Sequence, residues 1–121
     1  MKIGFIGLGN VGGELAGNLL RNKFDLTVRD LDKNLTNKFE KLGAKVANSP
    51  KELTKQVDLI ITCLPSPEIC TEVMESEDGI INGLSENKIW LEMSTTDEAE
   101  VKRLGKKVIK KKAIPLDGPV S

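Results

Sequence analysis

Residues 7–12 read Gly7-Leu8-Gly9-Asn10-Val11-Gly12, GLGNVG; MKIGFI precedes them, and ELAGNLL follows from Glu14. A bare GxGxxG recurs by chance, so its weight depends on a strand before it, a helix after it and an acidic residue further on. Lys2 to Ile6 is a short, mostly apolar run of strand length, and Val11, Leu15, Ala16, Leu19 and Leu20 follow at helical spacing. DLTVRD at 25–30 is rich in β-formers, begins after the polar break Arg21-Asn22-Lys23 and gives a second strand ending at Asp30. All three conditions are met, and a βαβ unit is complete in about 30 residues.

The alternation continues outward. Leu35, Phe39 and Leu42 give a second helix its apolar stripe, with Gly43 placed for a left-handed C-terminal cap. Lys45-Val46-Ala47 is a short third strand, and Ser49-Pro50-Lys51-Glu52 has the form of a capping box that opens a brief helix at Pro50. VDLIITCL at 57–64 is nearly all apolar, the pattern of a strand buried on both faces, and Pro65-Ser66-Pro67 stops it. Glu68 to Glu75 is a further helix, Asp78-Gly79 and Asn82-Gly83 are turns, and Lys88 to Met93 is a fifth strand. Thr96 or Asp97 caps a long helix through about Lys112, before a sixth strand at Ala113 to Leu116. This pattern predicts an α/β fold, a Rossmann-type doubly wound parallel sheet of about six strands, with the order 3-2-1-4-5-6 by analogy with dinucleotide-binding folds.

The 121 residues fit one domain, and 18 basic against 18 acidic side chains give no net charge, which argues against a nucleic-acid partner. The apolar runs fall far short of the roughly 18 residues a membrane span needs. After Met1-Lys2 the chain enters a strand-like run without signal-peptide regions, which points to the cytoplasm. Cys63 and Cys70, in a chain without histidine, offer no metal-ligand set and a weak case for a disulfide, so both read as reduced. Cys63 itself reads as a small apolar group at the end of a buried strand. Lys106, Lys107, Lys110, Lys111 and Lys112 read as a solvated face near a helix C-terminus, where cations favour the dipole.

In the motif, Gly7 would allow the tight turn off the first strand, Gly9 the approach of a pyrophosphate, and Gly12 close packing of helix on strand. The helix from about Asn10 would present free N–H groups to the phosphates. Asp30 falls near the spacing at which a carboxylate accepts hydrogen bonds from an adenosine ribose, and an added 2′-phosphate would meet its charge. Leu31 stands where an arginine could pair with such a phosphate, so NAD is expected over NADP; the neighbouring Arg29 keeps NADP as the alternative.

Four stretches, GFIGLGNVGGELAGNLL from Gly4, CLPS from Cys63, EMSTTDEAE from Glu92 and LDGPVS from Leu116, resemble in order the N-terminal domain of the β-hydroxyacid dehydrogenase family. Its members include 3-hydroxyisobutyrate dehydrogenase and tartronate semialdehyde reductase, and it is related to 6-phosphogluconate dehydrogenase. The resemblance implies a pyrophosphate loop at Leu8, Gly9, Asn10 and Val11, where Val11 replaces the usual methionine. It implies cofactor contacts from Leu64 and Pro65 after the fourth strand, and from Ser94 and Thr95 after the fifth, with Thr95 close to the nicotinamide ribose. Asp117 to Ser121 match the first five positions of the family's substrate-carboxylate loop, which makes Ser121 a substrate-binding residue. Family members continue into an all-helical domain with the catalytic lysine and much of the dimer interface. These 121 residues would therefore be the NAD-binding domain of a homo-oligomeric enzyme acting on a small hydroxy acid, with no catalytic residue of their own. A stand-alone dinucleotide-sensing module, like the regulatory domains of potassium channels, is the alternative from another class; it needs no substrate loop, so Ser94-Thr95 and Asp117 to Ser121 argue against it. A relative reducing imines, aldehydes or a sugar-acid phosphate is a third possibility, on which these residues are silent.

Overall fold

The computed structural model describes residues 1–94 and 97–117. In chain order its elements are β1 (Lys2–Ile6), α1 (Asn10–Arg21), β2 (Asp25–Arg29), α2 (Lys33–Lys41), β3 (Lys45–Val46) and α3 (Pro50–Gln56). There follow β4 (Leu59–Thr62), α4 (Pro67–Glu75), a 3-10 turn (Ile81–Gly83), β5 (Ile89–Glu92), α5 (Glu98–Lys110) and β6 (Ile114–Asp117). The strands form one sheet in the order β3-β2-β1-β4-β5-β6, and every neighbouring pair is parallel. This is the Rossmann-type sheet expected from the alternation of strands and helices.

Period-two alternation divides the core into two layers. Ile3 and Phe5 of β1, Leu26 and Val28 of β2 and Ile61 of β4 pack with Ala16 of α1 and Phe39 of α2 on one face. Ile6, Ile60 and Trp90 point the other way, onto Leu53 of α3, Cys70 and Met74 of α4, and Leu104 and Val108 of α5. Trp90 is fully buried, and its indole N–H is satisfied by the Thr62 hydroxyl at 3.0 Å. Both faces of the central strands are thereby covered, as their near-continuous apolar runs require.

Element ends shift by a residue or two from the sequence reading. β2 stops at Arg29, which leaves Asp30 just beyond the ladder, and β4 is confined to Leu59–Thr62, with the Asp58 and Cys63 N–H groups still bonded to the Lys2 and Ile6 carbonyls at its two ends. Side chains cap four helix N-termini: Asp32 for α2, Ser49 for α3, Ser66 for α4 and Asp97 for α5. Gly43 has φ +108°, and the Gly43 and Ala44 N–H groups close α2 on the Glu40 and Phe39 carbonyls. The five lysines at the end of α5 are all exposed, and Lys107 pairs with Glu75. Ile109, Ile114 and Leu116 are also exposed, which places apolar surface along α5 and β6. Among the described residues no helix is long and apolar enough to cross a membrane.

Helices α4 and α5 are tied by charge. Arg103 reaches Glu75 at 2.6 Å and Glu100 at 2.6 Å, and Lys107 also meets Glu75. Hydrogen bonds from Arg103 and Lys107 hold the Glu75 carboxyl well below its usual range, at about 2. A depressed carboxylate contributes stability that is full above its unfolded value and is lost as pH falls toward the folded one. Acid titration monitored by circular dichroism should therefore show a loss between about pH 4.5 and 2 that Glu75→Gln reduces. The cluster is near the surface, so its contribution should be small and should shrink with added salt.

Candidate functional site

The site grows from a turn without side chains. Gly7 leaves β1 with φ +102°, and a Cβ there would lie 2.1 Å from the Cys63 carbonyl oxygen. A Cβ at Gly12 would lie 2.0 Å from the Gly7 carbonyl oxygen. Both separations are below any real contact, so β1, the start of α1 and the end of β4 can meet only backbone to backbone. Gly9 differs: it is the N-cap of α1, and a Cβ on it would meet nothing within 4 Å.

Gly9 supplies no capping side chain to α1, in contrast to the four side-chain-capped helices. The first intrahelical bond at this end runs from the Gly13 N–H to the Gly9 carbonyl, at 2.6 Å. The N–H groups of the first turn thus lack intrahelical acceptors, and with the helix dipole they make an anion site.

They open on a groove of about 910 Å³ along the C-terminal ends of the strands. The chain winds outward from β1 to β3 and then returns to β4, so the groove sits where the winding direction reverses. Gly7, Gly9, Asn10, Val11, Gly12, Asp30, Leu64, Pro65 and Ser94 all line it. Thr95 and Ser121 lie outside the described residues.

Leu8 departs from the expectation of a cofactor contact. Its side chain is buried in the core with Ile3 and Phe5, and it does not line the groove. Its N–H is also engaged, donating to Asp30 Oδ2 at 2.7 Å, while Asp30 Oδ1 accepts from the Asp32 N–H at 2.8 Å. Asp30 therefore fastens the glycine turn to the end of β2. Each carboxylate oxygen keeps a second lone pair for a ligand. Leu31 stands 86% exposed beside it on the rim, so no cation immediately follows the carboxylate.

The opposite wall is made by the ends of β4 and β5. Cys63, read as a small apolar group at the end of a buried strand, packs against the core on one side, and it is only half-buried because it also lines the groove. Burial, and then the charge of Glu92, push its thiol above the ordinary range. Ser94 accepts a hydrogen bond from the Leu64 N–H and donates its own N–H to Glu92 Oε1 at 2.6 Å. Ile69, Glu72 and Val73 of α4 complete this side. Glu92 and the α4 wall were not singled out in the sequence; a lone acid ending the apolar run IWLE was the available signal. Among the described residues no three metal-ligating side chains converge.

The groove thus combines an uncapped helix end, an opening at Gly9 and a carboxylate at the tip of β2, and these fit an elongated ligand with a central diphosphate. Residues 2–121 match the family model described as the NAD binding domain of 6-phosphogluconate dehydrogenase. The chain belongs to this family. Among its relatives, mouse mitochondrial 3-hydroxyisobutyrate dehydrogenase is 37% identical over 98% of this chain and 36% of its own length. A probable mitochondrial 3-hydroxyisobutyrate dehydrogenase of Dictyostelium discoideum is 39% identical over 98% of this chain and 37% of its own. The chain therefore spans little more than a third of the length of these relatives. In fold it is similar to 3-hydroxyisobutyrate dehydrogenase from Salmonella typhimurium, with a TM-score of 0.91 at 23% identity over all of this chain and 42% of that one. It is an NAD(P)-binding domain of the β-hydroxyacid dehydrogenase kind.

Gly12 and Gly9 should separate under substitution. Gly12→Ala should cost about 2–4 kcal/mol in urea denaturation, because backbone must move. Gly9→Ala should cost about 1 kcal/mol or less, yet it should abolish dinucleotide binding by placing a methyl group in the open cradle.

Proposed function

We propose that this chain is the NAD-binding part of an oxidoreductase that transfers a hydride between NAD and a small 3-hydroxy acid or its semialdehyde. The observation that carries the cofactor assignment is the Asp30 carboxylate, held at the groove rim with lone pairs to spare and followed by Leu31 rather than a cation. In this reading Asp30 accepts from the adenosine ribose, and the α1 N-terminus with Gly9, Asn10 and Val11 holds the diphosphate. Leu64, Pro65, Ser94 and Thr95 hold the nicotinamide half. When bound, the cofactor supplies the nicotinamide carbon that accepts or gives the hydride. The substrate class is supported by the 3-hydroxyisobutyrate dehydrogenases among the relatives and by LDGPVS, in which Ser121 would fix the substrate carboxylate.

We further infer that the proton at the substrate oxygen is handled by a lysine of a helical portion beyond these residues, which also pairs the protein into a homo-oligomer. The chain on its own is then catalytically silent. Cys63 and Cys70, both free, support a reducing compartment such as the cytosol.

Titration of the 121-residue chain with NADH and NADPH, followed by cofactor fluorescence, tests the reading. NADH should bind at least about tenfold more tightly, a difference of about 1.4 kcal/mol. The double variant Asp30→Ser/Leu31→Arg should narrow or reverse that ratio. A preference of the unaltered chain for NADPH would show that Arg29 captures the 2′-phosphate, and binding of neither would sink the dinucleotide assignment. With 3-hydroxyisobutyrate and NAD, this chain should form no NADH, whereas a longer chain that includes the helical portion should.

A further inference from the structure

Glu92 is the last residue of β5 and is only 1% exposed, although the strand it ends is otherwise Ile, Trp and Leu. A buried carboxylate is costly unless its oxygens are matched by donors, and both are matched here. Oε2 accepts from the Cys70 thiol of α4 at 2.8 Å, and Oε1 accepts from the Ser94 N–H at 2.6 Å. The Ser94 hydroxyl in turn accepts from the Leu64 N–H. Burial and the charge of Glu92 push the Cys70 thiol up, which keeps it protonated as a donor. One carboxylate therefore links α4, the corner after β5 and the corner after β4, and Ser94 and Leu64 both line the groove. These corners lie across the sheet's switch point from Asp30, where the dinucleotide reading puts the nicotinamide half.

We infer that Glu92 is a positioning residue for the nicotinamide half of the groove: it fixes the Ser94 corner, and through it Leu64, at one spacing, with Cys70 completing its hydrogen bonds. The inference rests on the dinucleotide reading above. Glu92 itself does not line the groove. Glutamine at 92 accepts through one atom only and cannot serve both donors. Alanine at 70 leaves Oε2 buried without its partner, whereas serine keeps a donor there.

The test compares NADH with ADP-ribose, which lacks the nicotinamide ring, on the unaltered chain and on Glu92→Gln, Cys70→Ala and Cys70→Ser. Loss of a buried hydrogen bond to a charged group should weaken NADH about fivefold or more in Glu92→Gln and Cys70→Ala, with ADP-ribose changed by less than about twofold. Cys70→Ser should bind NADH like the unaltered chain. Equal weakening of both ligands would reduce Glu92 to a general stabiliser, and unchanged NADH affinity would remove any role; either overturns the inference. If Glu92→Gln does not fold, the Cys70 pair decides alone. Failure of the unaltered chain to bind either ligand would instead remove the dinucleotide reading, and this inference with it.

Discussion

The contact on which the structure turns is main chain against main chain, where Gly7 and Gly12 let the start of α1 and the ends of β1 and β4 come together. No side chain of any size fits between them. Because β1 and β4 sit side by side at the middle of the sheet, this contact fixes where the crevice opens and aims the uncapped end of α1 into it. The remaining helices cap their own first turns with Asp or Ser. A donor-rich helix end is thereby reserved at one place, over the strands that carry the rest of the site.

Carboxylates at strand ends then set the walls. Asp30 takes the Leu8 and Asp32 amides, and Glu92 takes the Ser94 amide and the Cys70 thiol. At the other end of the sheet Asp58 does the same for the Lys2 amide, at 2.9 Å. A charged acceptor holds a backbone N–H more firmly than a neutral one, so short loops keep their shape without a larger core. The two acids differ in access: Asp30 is half-exposed and lines the groove, whereas Glu92 is buried and does not line it.

The element sequence was legible because helical spacing and near-continuous apolar runs report which faces are covered, as in the buried β1 and β4, and the sheet order followed by analogy with dinucleotide-binding folds. Ser49 and Asp97 were legible as caps because capping is local chemistry. Leu8 was not: apolar residues inside a glycine motif can face a ligand or the core, and only the path of the turn turned this one inward beside Phe5. The groove-facing side of Cys63 and the burial of Glu92 were missed for a related reason. Periodicity tells which face a residue occupies, but whether the last residue of a strand meets solvent, core or groove depends on which loops converge above it. That convergence is a property of the assembled sheet.

Asp30 belongs both to the groove lining and to the support of the loop beneath it. The carboxylate that lines the groove is the same one that accepts from the Leu8 amide, and it acts beside the Gly7 N–H bond to the Arg29 carbonyl in tying the glycine turn to the end of β2. A change at Asp30 therefore alters the groove rim and the seating of the glycine turn together, because one side chain belongs to both.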